Sequence, residues 1–289
     1  MDQKKWEVLG VETSFMGYGC RQFPLKEDGS VDEEKSEALV DAAIAGGVNY
    51  FDNGYLYNKG QSEIVLGKAL KKYDRDSYYL ATKLPVWVVN APEDAERIFE
   101  EQLKRLQTDH IDFYLLHSMN RSNWDKVKEL NILPFLEQKK AEGKIRYIGF
   151  SFHDCYDMFK EVLEGYNWDF CQMQLSYLLA DGANGVKGFE LAGKLQVPVI
   201  VMEPVGAGKL AKCCDEAAEK FRALEAGKSP ASYALRWAGS LEGVKMVLTG
   251  VTTMEHLQEN INTFTHFVPL SATEQAVIDE VAAILKCRE

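Results

Sequence analysis

Cysteine is scarce in this chain: Cys20, Cys155, Cys171, Cys213, Cys214 and Cys287 are the only thiols in 289 residues, and none stand in Cys-x-x-Cys spacing. That gives no basis for a disulfide framework, and the adjacent Cys213-Cys214, with no histidine nearby, is no metal set. Cys20, Cys155 and Cys171 lie in or beside apolar segments, so reduced, buried thiols and a cytoplasmic setting are expected. The first residues, MDQKKWEVLG, carry no apolar signal core, and no run approaches the ~20 apolar residues of a membrane span. Basic charge is in deficit: 33 Lys and Arg against 44 Asp and Glu leave a formal net charge of -11. Such a balance opposes a general grip on nucleic-acid phosphates, although one anionic ligand needs only a local basic patch. No linker, low-complexity tract or sequence repeat interrupts the chain, so a single domain over 1–289 is expected.

What is present is alternation. Apolar segments of strand length at 13–20, 49–53, 77–83, 110–117, 145–151, 169–176, 197–203 and 244–250 are separated by helical patterns. The helices are expected at 33–46, 62–73, 92–107, 124–142, 154–163, 185–194, 211–240 (broken around 227–230) and 253–264, with one more at 271–286. Ser62, Ser229-Pro230 and Ser271 read as helix starts, and the glycines near 45–47 and 142–144 as stops. Eight strand–helix units with near-continuous apolar strands predict a closed (β/α)8 TIM barrel of α/β class. An open doubly wound sheet is the alternative. Its dinucleotide-binding form lacks support, because Gly17-Tyr18-Gly19-Cys20 has no third glycine.

In such a barrel the C-terminal strand ends converge on one mouth. Asp52, Lys83 and His117 end the second, third and fourth strand segments, and Tyr57 follows the second by a short loop. A phenol with its ordinary pKa of ~10 is a poor acid or base at neutral pH. A lysine ammonium beside it favours the phenolate, a carboxylate keeps the lysine charged, and a histidine can donate to the same substrate oxygen. Together they suit protonation of an alkoxide as it forms, with hydride from a nicotinamide or flavin. Each residue has a plainer reading: Asp52 as a cap, Tyr57 as one of 13 packing tyrosines, Lys83 as a solvated strand end, His117 as a core histidine. Their joint placement favours chemistry.

The motifs that carry a resemblance are Phe51-Asp52…Tyr57-Asn58, Ser62-Glu63…Leu66-Gly67, Ala81-Thr82-Lys83, Asp112…Leu116-His117, Gly149-Phe150-Ser151 and Ala234-Leu235-Arg236-Trp237. On these the chain resembles the aldo-keto reductase family from its first strand to about residue 264. The resemblance implies an NAD(P)-dependent reductase of aldehydes or ketones, or the reverse, with catalytic Asp52, Tyr57, Lys83 and His117. Tyr57 would be the general acid and His117 would orient the carbonyl. It also implies that Ser151 and Gln172 hold the carboxamide of NADH or NADPH, with Glu259 and Asn260 at the adenine.

Departures fall on the cofactor side. Phe152 stands where the family has asparagine, and Met202, before Glu203-Pro204, where it has a stacking aromatic. Gly206, Gly208 and Lys209 form a candidate pyrophosphate loop. Where NADPH-selective members carry a lysine and an arginine, this chain has Gly250 and His256, tilting the expectation toward NADH; the Thr252 hydroxyl is a further phosphate contact. No metal is expected. The Met202-Glu203-Pro204 context resembles a branch with a ferredoxin-like C-terminal segment, but Cys287 alone cannot ligate a cluster. A small carbonyl or alcohol substrate would meet Arg21, Trp87 and Met119, with Phe23, Arg121 and Trp124 in the same loops. A monomer or weak homo-oligomer is expected. The alternatives are a cofactor-binding redox-sensing or regulatory subunit with little turnover, and a lyase or isomerase.

Overall fold

A computed structural model describes residues 1–182, 184–225 and 227–287; the chain end at Arg288-Glu289 lies outside them. The chain opens with a hairpin, β1 (Gln3–Trp6) and β2 (Val11–Ser14), paired antiparallel. Then come β3 (Met16–Gly19), α1 (Glu33–Ala45), β4 (Tyr50–Asp52), α2 (Gln61–Leu70), β5 (Tyr79–Leu84), α3 (Pro92–Leu106) and β6 (Ile111–Met119). Two helices follow β6, α4 (Arg121–Glu129) and α5 (Ile132–Ala141), before β7 (Ile145–Phe152), α6 (Tyr156–Glu164) and β8 (Phe170–Gln174). The remainder is α7 (Gly185–Lys194), β9 (Val199–Met202), α8 (Asp215–Leu224), α9 (Pro230–Gly239), β10 (Met246–Thr249), α10 (Met254–Thr263) and α11 (Ala272–Lys286).

Strands β3 to β10 pair in parallel and close, β10 against β3, into the expected (β/α)8 barrel. The side-chain period of two divides each strand between two cores. Tyr50, Ala81, Phe113, Leu115, Phe170, Ile200 and Met246 point inward and fill the lumen, and the alternate residues pack under the helices. Gly17 and Gly149 make room for this filling: a Cβ would lie 2.5 Å from the Met246 sulfur at the first and 2.6 Å from the Phe170 ring at the second. The hairpin stops the lower end. Trp6 is fully buried there, 5.5 Å from Phe113 between ring centroids, with its Nε1 donating to the Thr13 hydroxyl at 2.9 Å.

Three expectations change. The 13–20 segment is two strands, because Ser14 donates to the Met16 carbonyl and accepts from Asn49, turning the chain from hairpin into barrel. The 124–142 helix is two helices, parted at Asn131, which adopts φ 50°. Ser62 lies inside α2 rather than capping it, and its hydroxyl donates to the Cys20 carbonyl at 2.9 Å. The other two starts stand: Ser229 and Ser271 both accept a backbone N–H, and Ser271 forms a capping box with Glu274.

Arg236 of α9 ties α11 to the barrel wall. Its guanidinium, almost wholly buried, chelates both oxygens of Glu274 and donates to the carbonyls of Val268 and Pro269. The Arg236 hydrogen bonds hold the Glu274 carboxyl down at about 2. A carboxylate with a depressed folded pKa stabilises above its unfolded value and loses that contribution as pH falls through the folded one. With solvent screening at this partly exposed carboxylate, roughly 1 to 3 kcal/mol should therefore disappear between about pH 4.5 and pH 2. Urea unfolding across that range should show a steeper acid loss in the wild type than in Glu274→Gln, and equal slopes would contradict the assignment.

Candidate active site

Lys83 is the most constrained residue at the barrel mouth. It points inward from β5 with 1% exposure, and an ammonium in that position must find partners. It bonds the Asp52 carboxylate at the end of β4 and donates to the Asn53 carbonyl at 2.6 Å. The second Asp52 oxygen accepts from Gln172 Nε2, across the lumen on β8, at 3.0 Å. After β4 the chain turns at Gly54, whose carbonyl accepts the Tyr57 N–H at 2.9 Å. A Cβ on Gly54 would come within 3.0 Å of the Tyr57 ring, so the ring lies against bare backbone. Asn58, Lys59 and Gly60 then take φ of 50°, 57° and 86°, a left-handed reversal into α2.

The four groups converge. Lys83 Nζ sits 5.1 Å from the Tyr57 ring centroid, and the His117 ring is 5.7 Å away, edge-on to Tyr57. Trp87 lies beyond, 5.0 Å from His117 and 41% exposed, as a wall of the opening. Burial pushes the Tyr57 phenol above its ordinary pKa; Lys83 pulls it down and Asp52 raises it again. The expected lowering by lysine is thus present but outweighed by desolvation, and the phenol is protonated at neutral pH. Burial works against the charge on Lys83, yet Asp52 and Tyr57 more than offset it and hold its pKa up. His117 is driven well below the usual imidazole range, by burial first and by Lys83 second, so it is neutral.

Among the described residues, the buried polar atoms here that lack a protein partner include His117 Nδ1 and Gln172 Oε1. Such atoms are costly unless a ligand satisfies them. Ser151 faces Gln172 in the β7–β8 register, and its hydroxyl accepts the Ser118 N–H at 2.8 Å. Phe152 points away, into the helix-side core, 5.1 Å from Phe159. Met202 ends β9 inside the lumen, followed by Glu203 (φ 52°) and buried Pro204. Glu203 accepts from Gln174 Nε2 at 2.9 Å and lies 3.7 Å from the mostly exposed Arg21 guanidinium. Gly206, Ala207 and Gly208 follow with φ of 56°, 53° and 92°, leading to exposed Lys209.

At the last strand, Gly250 abuts β3. A Cβ there would lie 2.7 Å from the Gly19 carbonyl oxygen, so any larger residue must move the backbone. Thr252 and His256 are exposed, Thr253 caps α10, and Asn260 donates to the Thr249 hydroxyl at 3.0 Å beside half-buried Glu259. Bare backbone at Gly19 and Gly250, the turn at 206–208 and the unpartnered Gln172 acceptor fit an extended nucleotide ending in a carboxamide.

The substrate-side expectation fails at Met119. A register shift between Leu116 and Met119, with Ser118 at φ 55°, turns Met119 outward to pair with Phe152, and it is fully buried in the helix-side core. Phe23 and Trp124 are likewise buried, and Arg121 is held on the surface by Glu161. Arg21 and Trp87 do border the mouth. His153 and Gln174, outside the expected set, meet at 3.1 Å. They lie two residues beyond Ser151 and Gln172, and strand parity alone would have put them on the same face.

Comparison with known proteins bears on this geometry. The chain is 29% identical to L-galactose dehydrogenase of Arabidopsis thaliana, over 96% of this chain and 92% of that protein. It is 30% identical to methylglyoxal reductase YeaE of Escherichia coli strain K12, over 97% and 95%. The holo form of aldo-keto reductase AKR11C1 from Bacillus halodurans superposes with a TM-score of 0.78 at 26% identity, covering 97% of this chain and 96% of that one. The model of the Aldo/keto reductase family matches residues 15–283, nearly the whole barrel and the helix that follows it, and the chain belongs to that family.

Proposed function

We propose that Tyr57 delivers the proton in the reaction this oxidoreductase catalyses, the NAD(P)-linked interconversion of a carbonyl and an alcohol. The observation that carries this reading is the buried Lys83, bonded to Asp52 and set against the Tyr57 ring. A protonated phenol beside a fixed ammonium can give its proton to a developing alkoxide, and the ammonium then stabilises the phenolate left behind. Asp52 keeps Lys83 charged and aimed. His117, being neutral, serves as a hydrogen-bond donor to the carbonyl oxygen rather than as a competing acid. Bound nicotinamide supplies the hydride. Ser151 and Gln172 would hold its carboxamide, Met202 would pack against the ring, and Glu259 and Asn260 would meet the adenine. Gly206, Gly208 and Lys209 would hold the pyrophosphate.

NADH is the cofactor this chain suits better. The position of Gly250 cannot take a lysine without a clash at the Gly19 carbonyl. His256 is exposed and offers no fixed charge, and the groups we assign to a 2′-phosphate are the hydroxyls of Thr252 and Thr253 and the N-terminus of α10. For the substrate we favour a small, uncharged aldehyde or ketone. Arg21 lies close to Glu203, which leaves less positive charge for an acidic substrate, and Trp87 offers an apolar face. The activities named for L-galactose dehydrogenase and methylglyoxal reductase are in keeping with this class. A reducing cytoplasm accords with six free cysteines.

Three measurements test the assignment. Tyr57→Phe should lower kcat by about 100- to 10,000-fold while NADH binding, followed by cofactor fluorescence, stays intact; wild-type turnover would refute the proton role. The imidazole resonances of His117 should not titrate between pH 6 and 8, because its pKa lies below that window, and a midpoint near 6.5 would contradict its neutral role. NADPH should bind no more tightly than NADH, and His256→Arg should shift the ratio toward NADPH by roughly tenfold, the worth of one charge-assisted hydrogen bond. A wild-type preference for NADPH would overturn the cofactor choice.

A further inference from the structure

A polar network outside the barrel wall joins the loop that carries Tyr57 to the strand that carries Lys83. Its centre is Glu63 of α2, fully buried, with burial pushing its carboxyl upward. One Glu63 oxygen accepts from the Thr82 hydroxyl at 2.6 Å and from Gln102 Nε2 at 3.0 Å. Gln102 Nε2 also lies 3.0 Å from the Lys83 carbonyl, so β5 is gripped at the residue before Lys83 and at Lys83 itself. The other Glu63 oxygen faces Arg105 of α3 at 3.3 Å. Arg105 Nη1 donates to the carbonyl of Tyr55 at 3.0 Å, and its guanidinium stacks 4.3 Å from the Tyr55 ring. Glu101 completes the clamp, accepting from Arg105 Nη2 at 2.6 Å and from the Tyr55 hydroxyl at 2.7 Å.

The fold builds this arrangement deliberately at two glycines. A Cβ on Gly67 of α2 would lie 2.5 Å from the Arg105 carbonyl oxygen, so α2 and α3 touch backbone to backbone there. A Cβ on Gly60 would lie 3.1 Å from Arg105 Nη1, so the reversal after Tyr57 passes directly under the guanidinium. Within the segment from Gly54 to Gly60, the Tyr57 N–H bonds the Gly54 carbonyl and a single short turn over Tyr57–Gly60 follows, in which Asn58 and Lys59 adopt left-handed backbone without being glycine. The Arg105 bond to the Tyr55 carbonyl braces this segment from α3.

We propose that Arg105 is a positioning residue for proton delivery: by fixing the Tyr55 carbonyl while sharing Glu63 with Thr82 and Gln102, it sets Tyr57 against Lys83. Arg105 touches no reacting group. It acts through the backbone two residues before Tyr57, and this rests on the reading of Tyr57 as the proton donor. Misplacing a reacting group by about 1 Å costs on the order of 100-fold in rate, so a loosened loop is felt in turnover before it is felt in binding.

The test is a double-mutant cycle of Arg105→Ala and Tyr57→Phe. Arg105→Ala should lower kcat roughly 10- to 100-fold with the NADH dissociation constant, read by fluorescence, changed by less than about twofold. Arg105→Lys, which can still donate to the Tyr55 carbonyl, should recover part of the loss. Added to Tyr57→Phe, Arg105→Ala should cause no further fall in residual turnover. A further fall of the same size would mean that Arg105 supports the fold in general, and the proposal is then wrong. An unchanged kcat in Arg105→Ala, with Tyr57→Phe inactive, also overturns it while leaving the role of Tyr57 intact. Full activity of Tyr57→Phe would instead remove the underlying reading. If Arg105→Ala does not fold, Glu101→Gln, at a half-buried site, should lower kcat several-fold with the same dependence on Tyr57; wild-type kcat in that variant rejects the clamp.

Discussion

An ammonium group sealed inside a barrel is expensive, and the architecture of this mouth follows from meeting that expense. Lys83 has no solvent to hydrate it, so Asp52 and the Asn53 carbonyl must occupy two of its three donor directions. Asp52 is then itself a buried carboxylate, and its free oxygen takes the Gln172 amide from across the lumen. Below this tier the barrel is filled by Tyr50, Phe113, Phe170 and Met246, and Trp6 stops the lower end, so packed rings and a thioether back the pair from beneath. The side left open is the one where Tyr57 and His117 stand. In a medium of low dielectric the lysine charge acts strongly on both: it opposes the rise in the phenol's pKa and helps keep the imidazole neutral.

That buried charge also explains what could be read from the sequence. Lys83 and His117 each end an apolar run, and Asp52 follows Tyr50-Phe51, so three polar residues recur at the same place in consecutive strand–helix units. Strand ends of this kind are visible because the period and the chemistry change together. The eight strands and most helices were legible for the same reason. The hairpin was not, since QKKW and VETS are short, half-polar and joined without a break to the first barrel strand.

Other losses have a common cause in backbone geometry. Met119 was assigned to the mouth by its place just past His117, but one residue at positive φ, Ser118, reversed its direction. Ser62 has the composition of a cap and yet lies within its helix, because Gly60 makes the turn instead. The Arg105 clamp draws on residues 55, 63, 82, 101, 102 and 105, contributed by four separate elements. Each of them alone is an ordinary helix, strand or loop residue, and no linear pattern links them.

The two halves of the site are built on different footings. On the proton side, every charge is buried and paired, so changing one member strands another; that coupling restricts each position to the residue type that satisfies its neighbours. On the side we assign to the cofactor, the groups sit on loop backbone: Glu203, Gly206, Ala207 and Gly208 in left-handed conformation, and Gly250 pressed against Gly19. Backbone N–H groups can hold a phosphate whatever side chains surround them, so an exposed residue such as His256 is less tightly bound to a single identity. Phe152 illustrates the difference. Its neighbour Ser151 is held by a hydrogen bond to the Ser118 backbone, whereas residue 152 faces the helix-side core, where an aromatic packs on Phe159 without disturbing the mouth. Where geometry is carried by main chain a side chain can change without disturbing the mouth, and where it is carried by buried charge it cannot.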